Sequence, residues 1–458
     1  MNKNKTIETI KYLSFFLIVI LVCIYFYLEV PLIDDALIIQ RYIINFKEGN
    51  GLIFNVGESY YGYTSIIPTW FNSLLGFFFD INLNLARFIL PSLFLILIFH
   101  ILYKFVFNKK IIPTMLALFN PIFIYYLYSG LESYFIFLFC LSYAYFLYKK
   151  NWKFSLFLTT IAPFFRPELI IIAAPLYILS ITKLNEGKAK FFIASMVVPL
   201  SIILILFFYY ENIVPLSILA KMQNSIDFIK FLKIFVISSL GMLDNKYILF
   251  ISYFLTLITS SAAIYLVIRQ KNYLLIYTIL FILVYGLYLL ISRAHYAWYF
   301  SPISLLISIL LVYLIFSQKF LSMFFLSSVF VLFLFSQFSI VKKRNDYVKY
   351  FYIDLMDSIS EKIISYEQPG RTVLVGSSGY IGVNLIDYKI RDWIGLDNPQ
   401  IINLRKGKDK DNDNNIFCSQ HWDIIVIRFD PNRFNCHEII TSDMIYDEMY
   451  GYFYVLQK

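Results

Sequence analysis

Long apolar stretches separated by short polar breaks fill the chain as far as residue 340. They fall at about 12–30, 64–79, 87–107, 111–128, 131–148, 154–182, 190–210, 246–267, 273–291, 298–316 and 320–340. A helix needs about 20 apolar residues to cross roughly 30 Å of hydrocarbon. The pattern therefore predicts a polytopic α-helical membrane protein with about 10–12 membrane segments. The stretch 154–182 is too long for one span and is interrupted by Arg166-Pro167-Glu168. Proline ends a helix, and two ionisable side chains at mid-segment are costly in lipid. Two short helices meeting at this triplet are expected.

From Val341 onward charges and Asp/Asn clusters replace the apolar runs. The expected organisation is a membrane domain over 1–340, with a large first outer loop at 31–63, and a soluble α/β domain over 341–458. An amphipathic helix is expected at 346–365, with strands at Thr372–Val375, Asp423–Ile427 and Tyr452–Leu456. Lys406 to Asn415 reads as a solvated loop. In the first loop, Ala36 to Phe46 can be written as a helix lying along the membrane interface.

Composition agrees with the pattern. The chain is 59% hydrophobic and 15% charged, against roughly 25% charged in a soluble domain. A net charge of +9 invites a nucleic-acid reading, but the cations sit in the short breaks: Lys3, Lys5 and Lys11; Lys109 and Lys110; Lys149, Lys150 and Lys153; Lys183, Lys188 and Lys190; Arg269 and Lys271; Lys319. That is the positive-inside distribution that orients membrane proteins, and no nucleic-acid partner is expected. It places the N-terminus in the cytoplasm and the C-terminal domain outside. Lys109 and Lys110 break the trace unless 64–79 or 87–107 dips in without crossing. No small-residue cleavage site follows 12–30, so that segment reads as an uncleaved first span.

Cys23 and Cys140 lie within apolar segments, and Cys418 and Cys436 within the polar C-terminal region. Outside the cytoplasm the latter two could form a disulfide; two free thiols are the alternative. Gly376-Ser377-Ser378-Gly379-Tyr380-Ile381-Gly382 follows a predicted strand and imitates a dinucleotide-binding turn. The fingerprint requires a helix opening at the last glycine and an acid after a second strand. Asn384 to Tyr388 soon loses helical character, so no nicotinamide cofactor is expected.

Polar side chains gather at the predicted outer ends of the spans. The groups are Asp34, Asp35 and Arg41 with Asn55 and Glu58; Glu132; Arg166 and Glu168; Asn212 with Pro215 to Lys221; and Arg293 with His295. Carboxylates can accept a proton from a hydroxyl, cations can hold a phosphate leaving group, and aromatics can stack on sugars. Asp34-Asp35 follows the first apolar segment directly, where desolvation penalises two adjacent charges. The plain alternatives are a helix N-cap for the aspartates, an ion pair closing a helical hairpin for Arg166 and Glu168, and a helix-start carboxylate for Glu132. Two adjacent aspartates could also hold Mg²⁺ or Mn²⁺.

The run Asp34–Ser65, DDALIIQRYIINFKEGNGLIFNVGESYYGYTS, resembles the first outer loop of the GT-C superfamily of polyprenyl-phosphate-sugar-dependent glycosyltransferases. It is most similar to the terminal arabinofuranosyltransferase/mannosyltransferase-like branch. The shared pattern is a double Asp, an aromatic-rich helix, an Asn-x-Gly-Glu step (Asn55-Val56-Gly57-Glu58) and Gly62-Tyr63-Thr64. Gly130-Leu131-Glu132, Arg166-Pro167-Glu168, Pro215 to Lys221 and Asp392-Trp393-Ile394-Gly395-Leu396 follow in the family's order. Ser133 and Leu169 stand where that family often has Thr and Gly.

The resemblance implies an inverting glycosyl transfer at the outer membrane face. The donor would be a polyprenyl-phosphate sugar and the acceptor a cell-envelope glycan or glycolipid. Asp34 or Asp35 would be the catalytic base, with Arg41, Glu132, Arg166, Glu168, Lys221, Arg293 and His295 around the substrates. Two other readings compete. A lipid-linked-sugar transporter or flippase would be expected to carry internal repeats and mid-membrane charges. An O-antigen polymerase or ligase would leave the double Asp unexplained.

Overall fold

The computed structural model describes residues 21, 24–25, 28–79, 83–184, 187–221, 234, 246–292, 296–317, 320–366, 369–393, 395, 399–404, 422–427, 441–447 and 451–457. It is mostly helical, with one small sheet near the C-terminus. Five helical segments are long and apolar enough to cross a membrane: Phe88–Val106, Lys188–Tyr210, Tyr273–Ile291, Ala297–Ser317 and Leu326–Ile364. The count rises to six if the bent pair Ile111–Leu118 and Pro121–Tyr128 is one span. These numbers refer to the described residues and fall below the 10–12 segments expected.

Part of the difference is geometric. The apolar segments at 64–79 and 131–148 form helices of 14 and 15 residues, Ile66–Phe79 and Tyr134–Tyr148. At about 1.5 Å per residue such helices rise roughly 21–23 Å, short of the hydrocarbon thickness. The segment at 111–128, read as one stretch, breaks by 65°. Pro121 supplies no N–H there, and the Asn120 side chain accepts from the Phe123 N–H at 2.8 Å. The expected hairpin at 154–182 is present as Trp152–Phe165, a short 3-10 turn at Pro167–Leu169 and Ile170–Lys183. Most of the predicted first span, 12–30, lies outside the described residues.

The chain divides into two compact units. The first comprises Met1–Pro31, Asn84–Pro199 and Ile226–Asn345. Its interior is built from apolar and aromatic side chains of Pro121–Tyr128, Tyr134–Tyr148, Tyr273–Ile291 and Ser301–Ser317.

The second unit comprises Leu32–Leu83, Leu200–Ser225 and Asp346–Lys458. No helix end marks residue 341: helix Phe320–Val348 continues through a π-helical stretch, Lys349–Leu355, into Met356–Ile364. The C-terminal portion carries a mixed sheet of β1 (Thr372–Val375), β2 (Lys389–Asp392), β3 (Ile424–Ile427), β4 (Thr441–Asp447) and β5 (Gly451–Gln457). The strand order is β2-β1-β3-β5-β4. β1 is parallel to both β2 and β3, and β5 is antiparallel to both β3 and β4. Between β1 and β2 runs a short helix of seven residues, Ser378–Asn384. The first-loop helix, Asp34–Lys47, packs on it within the same unit.

Candidate functional site

Two groups of polar side chains answer to the sequence-based expectations, one in each unit.

In the second unit, the helix Asp34–Lys47 opens with both aspartates in its first turn, where acids are favourable against the helix dipole. Asp34 is half-buried, and its Oδ1 accepts from the Tyr380 N–H at 2.9 Å. A Cβ at Gly379 would collide with the Asp34 carbonyl oxygen, so only glycine permits this approach. The Tyr380 hydroxyl donates to the Leu32 carbonyl at 2.7 Å. Burial pushes the Asp34 carboxyl up to about 8; the Tyr380 N–H opposes the rise, Asp35 and Asp392 add to it, and the Gly379 N–H opposes it. Asp392 is buried at the end of β2 and accepts from the Ser378 hydroxyl at 3.0 Å. Asp35 is also half-buried, but among the described residues no hydrogen bond or ion pair holds its carboxylate.

Two turns further along the loop helix, Arg41 grips the other end of Ser378–Asn384. It is 1% exposed. Its Nε donates to the Phe54 carbonyl at 2.7 Å, Nη1 to Leu385 at 3.0 Å and Nη2 to Tyr388 at 2.6 Å. Nη1 also donates to the Gly382 carbonyl. Acid thus meets the start of the short helix and base meets its end, the arrangement its dipole favours. Arg41, expected near substrate, is taken up by main-chain carbonyls instead.

The Asn55-Val56-Gly57-Glu58 step binds the exposed edge of the sheet. Asn55 is buried; its amide donates to the Ile390 carbonyl and accepts from the Ile390 N–H, both at 2.9 Å, as a neighbouring strand would. Glu58 forms a two-point ion pair with Arg391 on the same strand. Gly62-Tyr63-Thr64 sits in an aromatic cluster. The Tyr42 hydroxyl accepts from the Gly62 N–H at 2.8 Å, and Tyr63 meets the Tyr210 hydroxyl at 2.9 Å. Helix Leu216–Lys221 belongs to this unit, and the Lys221 side chain lies outside the described residues.

The glycine-rich turn has more of the dinucleotide-binding geometry than its sequence suggested. It leads from β1 through a helix to a parallel second strand that ends in an acid, Asp392. The departures are the helix start, at Ser378 rather than at the last glycine, and the ligand. The first-turn N–H groups that would face a pyrophosphate face the Asp34 carboxylate.

In the first unit, Arg166 lies in the break between Trp152–Phe165 and Pro167–Leu169, extended at φ −154° because Pro167 follows it. It is 4% exposed and pairs with Glu132, 8% exposed, at 3.4 Å. Its guanidinium lies 5.8 Å from the Tyr299 ring centroid, and the Tyr285 hydroxyl donates to the Tyr299 carbonyl at 2.9 Å. Among the described residues, Arg166 Nε and Glu168 Oε2 are buried with no hydrogen-bond partner. Leaving such groups unmatched costs about 1–3 kcal/mol each.

Arg293, His295, Cys418 and Cys436 lie outside the described residues. No three His, Cys, Asp or Glu side chains among the described residues group so as to hold a metal ion. With Asp34 facing amide donors, the aspartate pair is a poor fit to Mg²⁺ or Mn²⁺. Gly379, Tyr380, Ser378 and Asp392 were not foreseen as surroundings of Asp34; the one signal was the glycine spacing, which reads as tight backbone approach but does not name what approaches. No protein-family model matches the chain, and neither does any curated protein or solved structure.

Proposed function

We propose that the protein is an inverting glycosyltransferase that moves a sugar from a polyprenyl-phosphate donor to a cell-envelope glycan or glycolipid, with Asp35 as the base. The observation that carries this reading is the unequal setting of the two aspartates. Asp34 faces the N–H groups of Gly379 and Tyr380, and burial pushes its carboxyl up to about 8. Asp35, one residue on, is half-buried and uncommitted among the described residues. In this reading Asp34 positions the start of the loop helix and Asp35 takes the acceptor proton. The acceptor oxygen forms a bond to the anomeric carbon as the bond from that carbon to the phosphate oxygen breaks. The electron pair leaves with polyprenyl phosphate, and the sugar inverts.

The first unit holds a polar group of its own, Arg166 with Glu132 and Glu168. A buried guanidinium and carboxylate with unmatched atoms are what a polar, phosphate- or hydroxyl-bearing substrate would complete. The ordered resemblance to GT-C enzymes supplies the reaction class. The host membrane would be the bacterial cytoplasmic membrane, with the C-terminal sheet on its outer side.

The test is release of polyprenyl phosphate from a panel of radiolabelled polyprenyl-phosphate sugars by purified protein, with cell membranes as the acceptor source. Removing a general base costs about 10²–10⁴ in rate. Asp35→Asn should fall by that factor and Asp34→Asn by no more than about tenfold, since asparagine keeps the oxygen that accepts from Tyr380. Activity should persist in EDTA. Full complementation of the cellular glycan defect by both variants would sink the reading and put lipid-linked-sugar transport in its place.

A further inference from the structure

We propose that a cavity at the basic end of the first unit binds a phosphate anion, carried on a phospholipid headgroup. The cavity has a volume of about 430 Å³ and is walled by four separate parts of the unit: the chain around Phe105–Pro113, Tyr148 at the end of its helix, the turn Gln270–Leu274, and the end of Ser301–Ser317. It takes no part in the chemistry assigned to Asp35 or Arg166.

Its charge is of one sign. Lys110 and Lys271 line it, and among the described residues no Asp or Glu does. Two more cations stand over its aromatic wall. The Lys149 ammonium lies 5.0 Å from the Phe105 ring and 5.3 Å from the Tyr148 ring, and Lys104 lies 5.4 Å from Phe105. Lys110 immediately precedes helix Ile111–Leu118, and Lys271-Asn272 immediately precedes Tyr273–Ile291. Two helix N-termini therefore add their partial positive charge to the lysines. The Tyr313 hydroxyl donates to Gln270 Oε1 at 2.6 Å, which leaves the Gln270 amide hydrogens as donors.

The size and the walls favour a lipid over free phosphate. A lone phosphate would leave most of the cavity unfilled, whereas a glycerophosphate headgroup has the bulk to occupy it. Three lining residues also face outward as an aromatic collar: Tyr148, Tyr273 and Phe316 are 44%, 49% and 38% exposed. Aromatics of this kind sit at the headgroup level of a bilayer, so acyl chains could continue past them along the apolar helices.

The experiment is native mass spectrometry of the full-length detergent-solubilised protein with phosphatidylglycerol and phosphatidylcholine supplied at equal concentration. Wild type should retain phosphatidylglycerol about tenfold over phosphatidylcholine, because the lining lysines favour the anionic headgroup. The Lys110→Gln/Lys271→Gln variant should bring the two lipids within about twofold, and Lys271→Glu should bring them at least as close. Lys183→Gln/Lys188→Gln removes the same charge from another exposed basic turn and should keep the preference. All four side chains are exposed, so melting temperatures should stay within a few degrees of wild type. An unchanged preference in the Lys110/Lys271 variant, or an equal loss in the control, overturns the proposal. Inorganic phosphate that binds wild type, fails on the variant and displaces phosphatidylglycerol would identify a soluble phosphate as the ligand and overturn the lipid source.

Discussion

Asp34 shows how one side chain can belong to a reactive motif by sequence and to an interface by structure. An aspartate following an apolar segment reads as desolvated, and Asp34 is; what raises it to about 8 is burial, in a place formed by residues more than 340 positions away. The pH dependence has a definite sign. In the unfolded chain Asp34 titrates near 3.8 and in the folded chain near 8, so across that window the folded state binds more protons. Its contribution to stability is complete below about 4, falls as pH rises toward 8 and is level above that. Asp34→Asn keeps an acceptor for Tyr380 without ionising. Relative to wild type, the variant should gain stability from pH 5 to pH 8.5, by an amount on the order of 1–2 kcal/mol once partial solvent access is allowed for, and its melting temperature should rise accordingly. Parallel thermal melts in one detergent would check it, and a wild-type advantage growing with pH would contradict the assignment.

Elements differ in how much of themselves they write into the sequence. The three interior strands β1, β3 and β5 were legible as short apolar runs, because such strands have a hydrogen-bonded neighbour on each side. The two edge strands were not. β2 is Lys-Ile-Arg-Asp and β4 is Thr-Ser-Asp-Met-Ile-Tyr-Asp, polar sequences of the kind that keep a sheet edge from pairing further. The edge at β2 is instead closed by Asn55 and Glu58 of the first loop. The break at Arg166-Pro167 was legible for the opposite reason: proline acts through its own ring and needs no tertiary partner. Arg41 joins the loop helix to the end of Ser378–Asn384 and the chain after it, through the carbonyls of Gly382, Leu385 and Tyr388. Arg41→Ala should destabilise the second unit by about 3 kcal/mol or more, since it leaves buried carbonyls unmatched. Arg41→Lys should recover little of that, because a point charge cannot reproduce the fork. Limited proteolysis after residue 346, alongside thermal melting, reads both.

At the scale of the whole molecule, the second unit is assembled from three stretches distant in sequence, 32–83, 200–225 and 346–458. Composition alone divides the chain near residue 340, where apolar runs give way to charge. That division describes which residues prefer water, and it leaves out what the C-terminal sheet rests on. Asp34, Arg41, Asn55 and Glu58 all bond to the 376–392 segment. Residues 346–458 produced alone should therefore fail to give a cooperative thermal transition. Joining 32–64 to them through a flexible linker should restore dispersed amide resonances. A sharp transition from the isolated C-terminal piece would show that the first loop is dispensable to it.

What the sequence determined by itself is what local rules can encode. Apolar length and mean hydropathy of +0.68 demand helices that bury or span, proline and asparagine punctuate them, and buried strands announce themselves through β-branched runs. Tertiary structure alone decided which of two adjacent aspartates is held by backbone amides. It also turned Arg41 from a candidate ligand into a clasp. Those outcomes depend on where a partner's N–H and C=O groups lie in space, and hydrogen-bond partners hundreds of residues apart leave no periodicity in the chain for a reader to find.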